Sequence, residues 1–460
     1  MLVGRVEVGY SGPVRVEVII EDLAPGGEGV GRCGPRAVFV PFAAPGDRVV
    51  VELPAGEGPA HGRLLEILSP AAERAIPPCP HFGVDLAPGQ AQPPAPALAD
   101  RECGGCEWLH VRYEAQLAAK ARGLREALRR IAHADPDACG LRPILSSPSP
   151  LRYRARAKFH LDRASGRLAF FRRRSHAPVR LEECHLLAPG LDALRAAVGP
   201  ALVAARLSPR EVALEWSDEQ GKGSVLLALD PTPAARDRAE ALLAAVPALA
   251  GAVLRGEDGA IASAGAPVLR LSRVPGRPEA GWQRSRPDVF QQANRGANAL
   301  LVEAALALLR PEGEDVLELH CGAGNFTGPL AARARTVAAV EAQGPALELA
   351  REDLARAENV RFFAGDALRL ALALARERGP RARRFGAVLL DPPREGAKGI
   401  GPALRELGAP RAVYVSCDPA TLARDVRACV EAGYRIAAVQ PVDMFPQTHH
   451  VEAAVLLERD

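Results

Sequence analysis

Hydrophobic and polar positions change their period along the chain. Over residues 14–68 apolar residues alternate in short runs, Val14-Arg-Val-Glu-Val-Ile-Ile20, Ala37-Val-Phe-Val-Pro41 and Arg48-Val-Val-Val-Glu52, separated by glycine turns. Strand-sized runs at this spacing predict a five-stranded barrel of the OB type. Over residues 111–133 the period becomes helical, with Leu117, Leu124 and Leu128 on one face and Arg and Lys opposite. Residues 151–179 alternate Arg or Lys with apolar side chains around a Ser165-Gly166 turn, which predicts a β-hairpin with a cationic exposed face. Residues from about 190 to 285 continue a mixed α and β pattern without a chemical motif. From Asn298 onward helical stretches alternate with buried strand-length runs, the signature of a doubly wound parallel sheet. The predicted division is a barrel over residues 1–72, a central α+β part over 73–289 and an α/β, Rossmann-like domain over 290–460.

Composition narrows the function classes. With 460 residues the chain is too long for one core. Hydrophobic residues at 48% and charged residues at 25% are ordinary for a globular protein. No run approaches the ~18 apolar residues that cross a bilayer, and the N-terminal residues lack a signal-peptide core, so no membrane contact and a cytoplasmic location are expected. A net charge of +3 is too small to declare a nucleic-acid binder, so any basic footprint must be local. Residues 152–180 provide one: Asp162 is the only acid among many cations, and Tyr153, Phe159, Phe170 and Phe171 are interleaved with them. Cations position phosphates and aromatics offer stacking surfaces, so RNA contact is expected here.

The candidate chemistry lies at strand ends, where open α/β sheets gather ligands. The run Asp315-Val-Leu-Glu-Leu319 leads into Gly322-x-Gly324, whose missing side chains let a ligand approach the backbone. The next two predicted strands end in Glu341, placed to accept ribose hydroxyls, and Gly365-Asp366, where a carboxylate can receive an adenine amine. A third glycine three residues on, required by the dinucleotide fingerprint, is replaced by Thr327. The three signals together suit S-adenosylmethionine better than NAD. A fourth strand ends in Asp391-Pro-Pro-Arg394; a fifth, Val413-Tyr-Val-Ser416, delivers Cys417 and is stopped by Asp418-Pro419. A strand-end thiol is either a core residue or a nucleophile. Glu452 opens the last strand beside an apolar run, where burial can raise its pKa toward that of a useful base, or where it simply caps.

Nine cysteines without a secretory signal argue against a disulfide framework. Cys103-Gly-Gly-Cys106 has metal-ligand spacing, and Cys79 and Cys184 are available to complete it, giving four thiolates suited to zinc or to a 4Fe-4S cluster. Cys33, Cys139 and Cys429 read as structural.

These residues also carry a resemblance. Phe290-Gln-Gln-Ala-Asn294, Leu319-His-Cys-Gly-Ala-Gly-Asn-Phe326, Asp391-Pro-Pro-Arg394, Ser416-Cys-Asp-Pro419 and His450-Val-Glu452 resemble the motifs of RNA uracil-5-methyltransferases. Gly26-Gly-Glu-Gly-Val-Gly-Arg32 with Val38-Phe-Val-Pro-Phe42 resembles the TRAM domain, a nucleic-acid-binding barrel. With the four cysteines, the chain is similar to the branch carrying a TRAM domain and a 4Fe-4S cluster, typified by bacterial 23S rRNA enzymes. The resemblance implies a class I S-adenosylmethionine methyltransferase domain, with Gln292, His320, Asn325, Glu341, Asp366 and Asp391 lining the cofactor and target-base pocket. It further implies Cys417 as nucleophile, Glu452 as base, rRNA as partner, a monomer, and an iron–sulfur cluster rather than zinc on Cys79, Cys103, Cys106 and Cys184. A tRNA uracil-5-methyltransferase and an inactive RNA-binding or folding factor are the alternatives. Glu318 and His320 stand where Asp and Phe are usual, Gln447 replaces a usual His, and the Cys79 to Cys103 loop is longer than expected.

Overall fold

The computed structural model describes residues 13–83, 101–376 and 384–459. The chain forms two compact units, the first comprising Met1–Gly123, Phe170–Glu183 and Pro446–His449, the second Leu124–Ala169, Cys184–Phe445 and His450–Asp460. Among the described residues no helix is long and apolar enough to cross a membrane.

In the first unit the predicted alternation produces a sheet in the order Ala60–His61, Arg36–Val40, Gly29–Cys33, Val14–Leu23, Arg48–Leu53 and Arg63–Ser69. Val18, Ile20, Val38, Val40, Val49 and Val51 alternate inward to form its core. Among the described residues six strands appear where five were predicted, because Ala60–His61 adds a two-residue parallel piece beside Arg36–Val40. Buried Asp47 ties the loops together: it accepts from the amides of Ala44 (2.6 Å) and Ala71 (2.9 Å) and pairs with Arg74 (2.6 Å). The helix Tyr113–Arg130 begins in this unit and departs from its predicted polar face at Lys120, which is buried and lies 5.7 Å from the Trp108 ring centroid. Its later residues Leu124 and Leu128 join the core of the second unit, as their spacing predicts. Gln447, held at φ +69°, accepts from the Gln116 side-chain amide (2.9 Å), and its own amide donates back to Gln116 (2.9 Å). This reciprocal pair gives Gln447 a role in packing the loop.

The second unit contains a sheet in the order Ile261–Gly265, Leu249–Arg255, Lys222–Leu227, Val212–Ser217, Arg156–Asp162 and the start of Arg167–Phe171. The predicted hairpin forms, but its inward alternation leaves Phe159 (0% exposed) and Tyr153 (8%) in the core, which corrects the expectation that they offer stacking surfaces. Arg156 is also withdrawn from any RNA face: its guanidinium donates to the carbonyls of Val289 and Pro287 (2.5 Å). Arg163 and Arg167 are exposed.

The doubly wound sheet follows the order Val360–Ala364, Thr336–Glu341, Asp315–Leu319, Ala387–Leu390, Arg411–Ser416, Glu452–Glu458 and Arg435–Val442. The first five strands are parallel and Glu452–Glu458 inserts antiparallel before the last. Numbered along the chain this is 3-2-1-4-5-7-6, a class I methyltransferase arrangement. The order reverses between Asp315–Leu319 and Ala387–Leu390, so a crevice opens at their carboxyl ends. Apolar residues such as Val316, Leu317, Val388, Leu389 and Val413 are fully buried, as a sheet covered on both faces requires.

Candidate active site

The loop after Asp315–Leu319 turns sharply. His320, Gly322 and Gly324 have φ of +62°, +55° and +84°. Glycine adopts this region without strain, whereas His320 does so only because its surroundings hold it there. Glu341 fixes the loop from the neighbouring strand: one carboxyl oxygen accepts the Gly322 amide (2.9 Å) and the other the Gln343 amide (2.8 Å). Asp366 caps the helix Ala367–Ala375 by accepting the Arg369 amide (2.8 Å). Burial lowers the pKa of His320 against the opposing pull of Glu341 and Asp366, so the three predicted side chains share one neighbourhood. The Asn325 side chain exchanges two hydrogen bonds with Asn298 (2.8 and 3.0 Å). Gln292 is half-buried on the segment before helix Arg295–Leu309. That segment is anchored by Asn294, whose amide donates to Ser147 (3.0 Å) and to the Met444 carbonyl (3.1 Å).

Across the crevice, Asp391 follows Ala387–Leu390, and its amide donates to the Leu319 carbonyl (3.3 Å). Desolvation pushes this half-buried carboxyl up to about 7. Cys417 follows Arg411–Ser416, whose last residue pairs with Ala453, so Cys417 and Glu452 each stand one residue beyond the pair that ends this ladder. Glu452 is 3% exposed and is pushed up to about 8 by burial and then by Asp391. The Cys417 thiol rises to about 12, through burial first, then Glu452 and Asp391, with Arg394 opposing. Arg394 lies 3.7 Å from Asp418. Asp418 caps helix Pro419–Glu431 through the amides of Ala420 (3.0 Å) and Thr421 (2.9 Å), so the thiol stands just before a helix N-terminus, whose dipole favours the thiolate. Two carboxyls of raised pKa thus act on one thiol at the carboxyl ends of the strands beside the switch point.

Comparison with known proteins decides the family. The chain is 36% identical to a 23S rRNA (uracil(1939)-C(5))-methyltransferase of Alkalilimnicola ehrlichii over 458 residues, covering 96% of each chain. It belongs to the RNA uracil-5-methyltransferases. The enzyme of the same name from Pseudomonas putida is 35% identical, covering 95% of this chain and 92% of the relative. Residues 276–460 match the family described as tRNA (Uracil-5-)-methyltransferase, and residues 14–63 match the TRAM domain. A Pyrococcus abyssi tRNA (uracil-54, C5)-methyltransferase, solved with S-adenosyl-L-homocysteine, shares the fold with a TM-score of 0.69 at 21% identity, covering 96% of this chain and all of that one.

This uracil-5-methyltransferase also holds residues that sequence reasoning missed. Glu318, noted only as a departure, is 0% exposed, and among the described residues neither carboxyl oxygen has a hydrogen-bond partner. Burial pushes it up to about 8, against the opposing charge of Arg273. A carboxyl left orphaned beside the glycine loop suits a cationic or amine-bearing ligand. An acid inside the apolar run Val316-Leu-Glu-Leu319 was the available signal. Arg273, Gln283 and Asn298 also touch the loop or its neighbours, and nothing local in their sequence marks them.

In the first unit the Cys103 amide donates to the His81 carbonyl (3.0 Å), and the Phe82 amide to the Cys79 carbonyl (3.2 Å). Cys103 is therefore hydrogen-bonded to the turn that follows Cys79. In the second unit Cys184 is buried, its amide donates to Asp192 (3.1 Å), and burial raises its thiol. Among the described residues no group of three or more His, Cys, Asp or Glu side chains is arranged to hold a metal ion.

Proposed function

We propose that this protein transfers the methyl group of S-adenosylmethionine to C5 of a uracil in RNA, with 23S rRNA the foremost substrate. The observation that carries the reading is that Cys417 and Glu452 each adjoin the Ser416–Ala453 pair that ends their ladder, with Glu452 acting electrostatically on the thiol and Asp391 on both. The full-length likeness to 23S rRNA enzymes supports the choice of RNA.

Uracil C5 is a poor nucleophile. The Cys417 thiol gives its proton to the Asp391 carboxylate and adds to C6, placing enolate electron density on C5 and leaving Glu452 ionised for the later step. C5 attacks the sulfonium methyl, and S-adenosylhomocysteine leaves with the carbon–sulfur electron pair. Glu452 then removes the C5 proton, and the returning electrons restore the C5–C6 double bond and expel Cys417. Its raised pKa suits a base working near neutrality. Asp391 and Gln292 read the uracil edge, while Gly322, Gly324, Asn325, Glu341, Asp366 and His320 hold the cofactor. Glu318 receives the cofactor's ammonium group. A target within folded RNA must be extruded from its stack.

The parts divide as a barrel over residues 1–72, a central region over 73–289 and a catalytic domain over 290–460, the first two holding flanking RNA. Cys79, Cys103, Cys106 and Cys184 would hold a 4Fe-4S cluster, with zinc the alternative occupant. The all-thiolate donor set and the hydrogen bond joining the segments of Cys79 and Cys103 support this. Such a cluster would brace the loops, and no catalytic step runs through it. The enzyme acts as a cytoplasmic monomer; the presence of nucleophile, base and cofactor loop in one chain supports a site that needs no second copy.

A second reading, a tRNA substrate, is favoured by the family description matched by residues 276–460. Mapping 5-methyluridine in total RNA from a deletion strain separates the two: loss from 23S rRNA supports the first, loss from tRNA alone the second, and loss from neither contradicts both.

A further inference from the structure

The strands Leu269–Val274 and Arg277–Ser285 form a two-stranded sheet of their own, outside the doubly wound sheet, yet their side chains reach its glycine loop. Arg273 donates from Nη1 to the carbonyls of Gly324 (3.1 Å) and Asn325 (3.3 Å). Gln283, 7% exposed, donates to the carbonyl of Ala323 (3.2 Å). Three successive carbonyls of the loop are thus satisfied by one hairpin. The hairpin is itself fastened to the domain: the Arg284 amide donates to Asp353 (2.6 Å), and the Arg295 guanidinium to the Ser272 carbonyl (2.8 Å).

Gly328 records how closely Arg273 is seated. A Cβ on this glycine would lie 2.3 Å from Nη2 and 2.4 Å from Cζ of Arg273. Gly328 lies in helix Thr327–Ala331, where alanine would ordinarily be favoured over glycine, so the missing side chain serves the guanidinium. These donors tie a loop with three residues at positive φ to the hairpin, as Glu341 ties it to the neighbouring strand.

We infer that Arg273 and Gln283 are positioning residues that set the glycine loop for S-adenosylmethionine, making the hairpin a clamp on cofactor affinity. The inference rests on the proposed assignment of this pocket to that cofactor. The clamp acts through the backbone of residues 323–325, so its loss weakens cofactor binding while leaving RNA contacts alone.

Calorimetric titration of the full-length protein with S-adenosylhomocysteine tests it. Arg273→Ala is expected to weaken binding by about tenfold, the scale of one charge-assisted hydrogen bond. It should raise KM for the methyl donor more than it lowers kcat and leave RNA affinity unchanged, and Arg273→Lys should restore part of the loss. Gly328→Ala, which favours its own helix, should reproduce the loss in the native background and add nothing to Arg273→Ala. Native affinity in folded Arg273→Ala, or additive losses in the double variant, overturns the clamp while leaving the pocket assignment intact. Failure of the native protein to bind S-adenosylhomocysteine overturns both.

Discussion

Cys417 and Glu452 each stand one residue beyond the Ser416–Ala453 pair that ends their antiparallel ladder, although they are 35 positions apart in sequence. The base therefore lies beside the nucleophile without sharing its strand. Substituting Glu452→Gln keeps the size of the side chain and removes the proton acceptor. Methylated RNA should then remain attached to Cys417, because C5 cannot release its proton. A slower-migrating protein–RNA species on a denaturing gel, dependent on S-adenosylmethionine, is expected; its absence in an otherwise folded variant counts against Glu452 as the base.

The pH dependence follows from the same cluster. Burial raises Glu452 from 4.5 to about 8, so the free enzyme gains the ionised base as pH rises, and kcat/KM should climb through about pH 8. Stability moves oppositely. The neutral form is favoured in the fold, so its contribution is fully present below the unfolded value of 4.5 and is lost as pH rises through about 8. Glu452→Gln should flatten the fall of Tm between these limits, which thermal unfolding across a pH series measures. Asp391, raised to about 7, adds a second decline of the same sign.

Two kinds of arginine in the central region should fail differently. Arg163 and Arg167 are exposed near the hairpin turn, and removing each phosphate contact should lower the salt slope of RNA binding by about 0.7–0.9. Arg156 instead braces residues 287–289, just before Gln292. Arg156→Ala should leave the salt slope alone and lower kcat, on the order of 10²-fold if Gln292 shifts by about 1 Å. Filter binding across salt concentrations, paired with single-turnover kinetics, distinguishes them.

Much of the catalytic domain was legible because the central parallel strands are covered on both faces. Runs such as Val316 to Leu319 and Val413 to Ser416 had few other ways to fold, and the glycines and acids at their ends marked the crevice. Glu452 was harder to interpret, because its neighbour is set by a strand inserted antiparallel. Tyr153 and Phe159 lie in the core rather than on a stacking surface, because local alternation does not say which face meets the core. Arg156 and Arg273 act on backbone carbonyls remote in sequence, and a carbonyl carries no residue-type signature. Lys120 escaped its predicted polar face because Trp108 offers its ring to the ammonium.

The cysteine set makes a separable prediction. Protein purified without oxygen should be brown, with iron and sulfide in equal amounts, and Cys103→Ser with Cys106→Ser should abolish both colour and iron. Colourless native protein carrying zinc favours the alternative occupant. The double variant should still bind S-adenosylhomocysteine, since no cofactor contact runs through these residues.

The most direct measurement compares Cys417→Ala with the native enzyme in methyl transfer from S-adenosylmethionine to unmodified 23S rRNA, with cofactor binding measured in parallel. Full S-adenosylhomocysteine binding with methyl transfer reduced by at least about 10⁴-fold is expected for a residue that forms the covalent bond. Methylation of uracil C5 at the native rate by Cys417→Ala would contradict it.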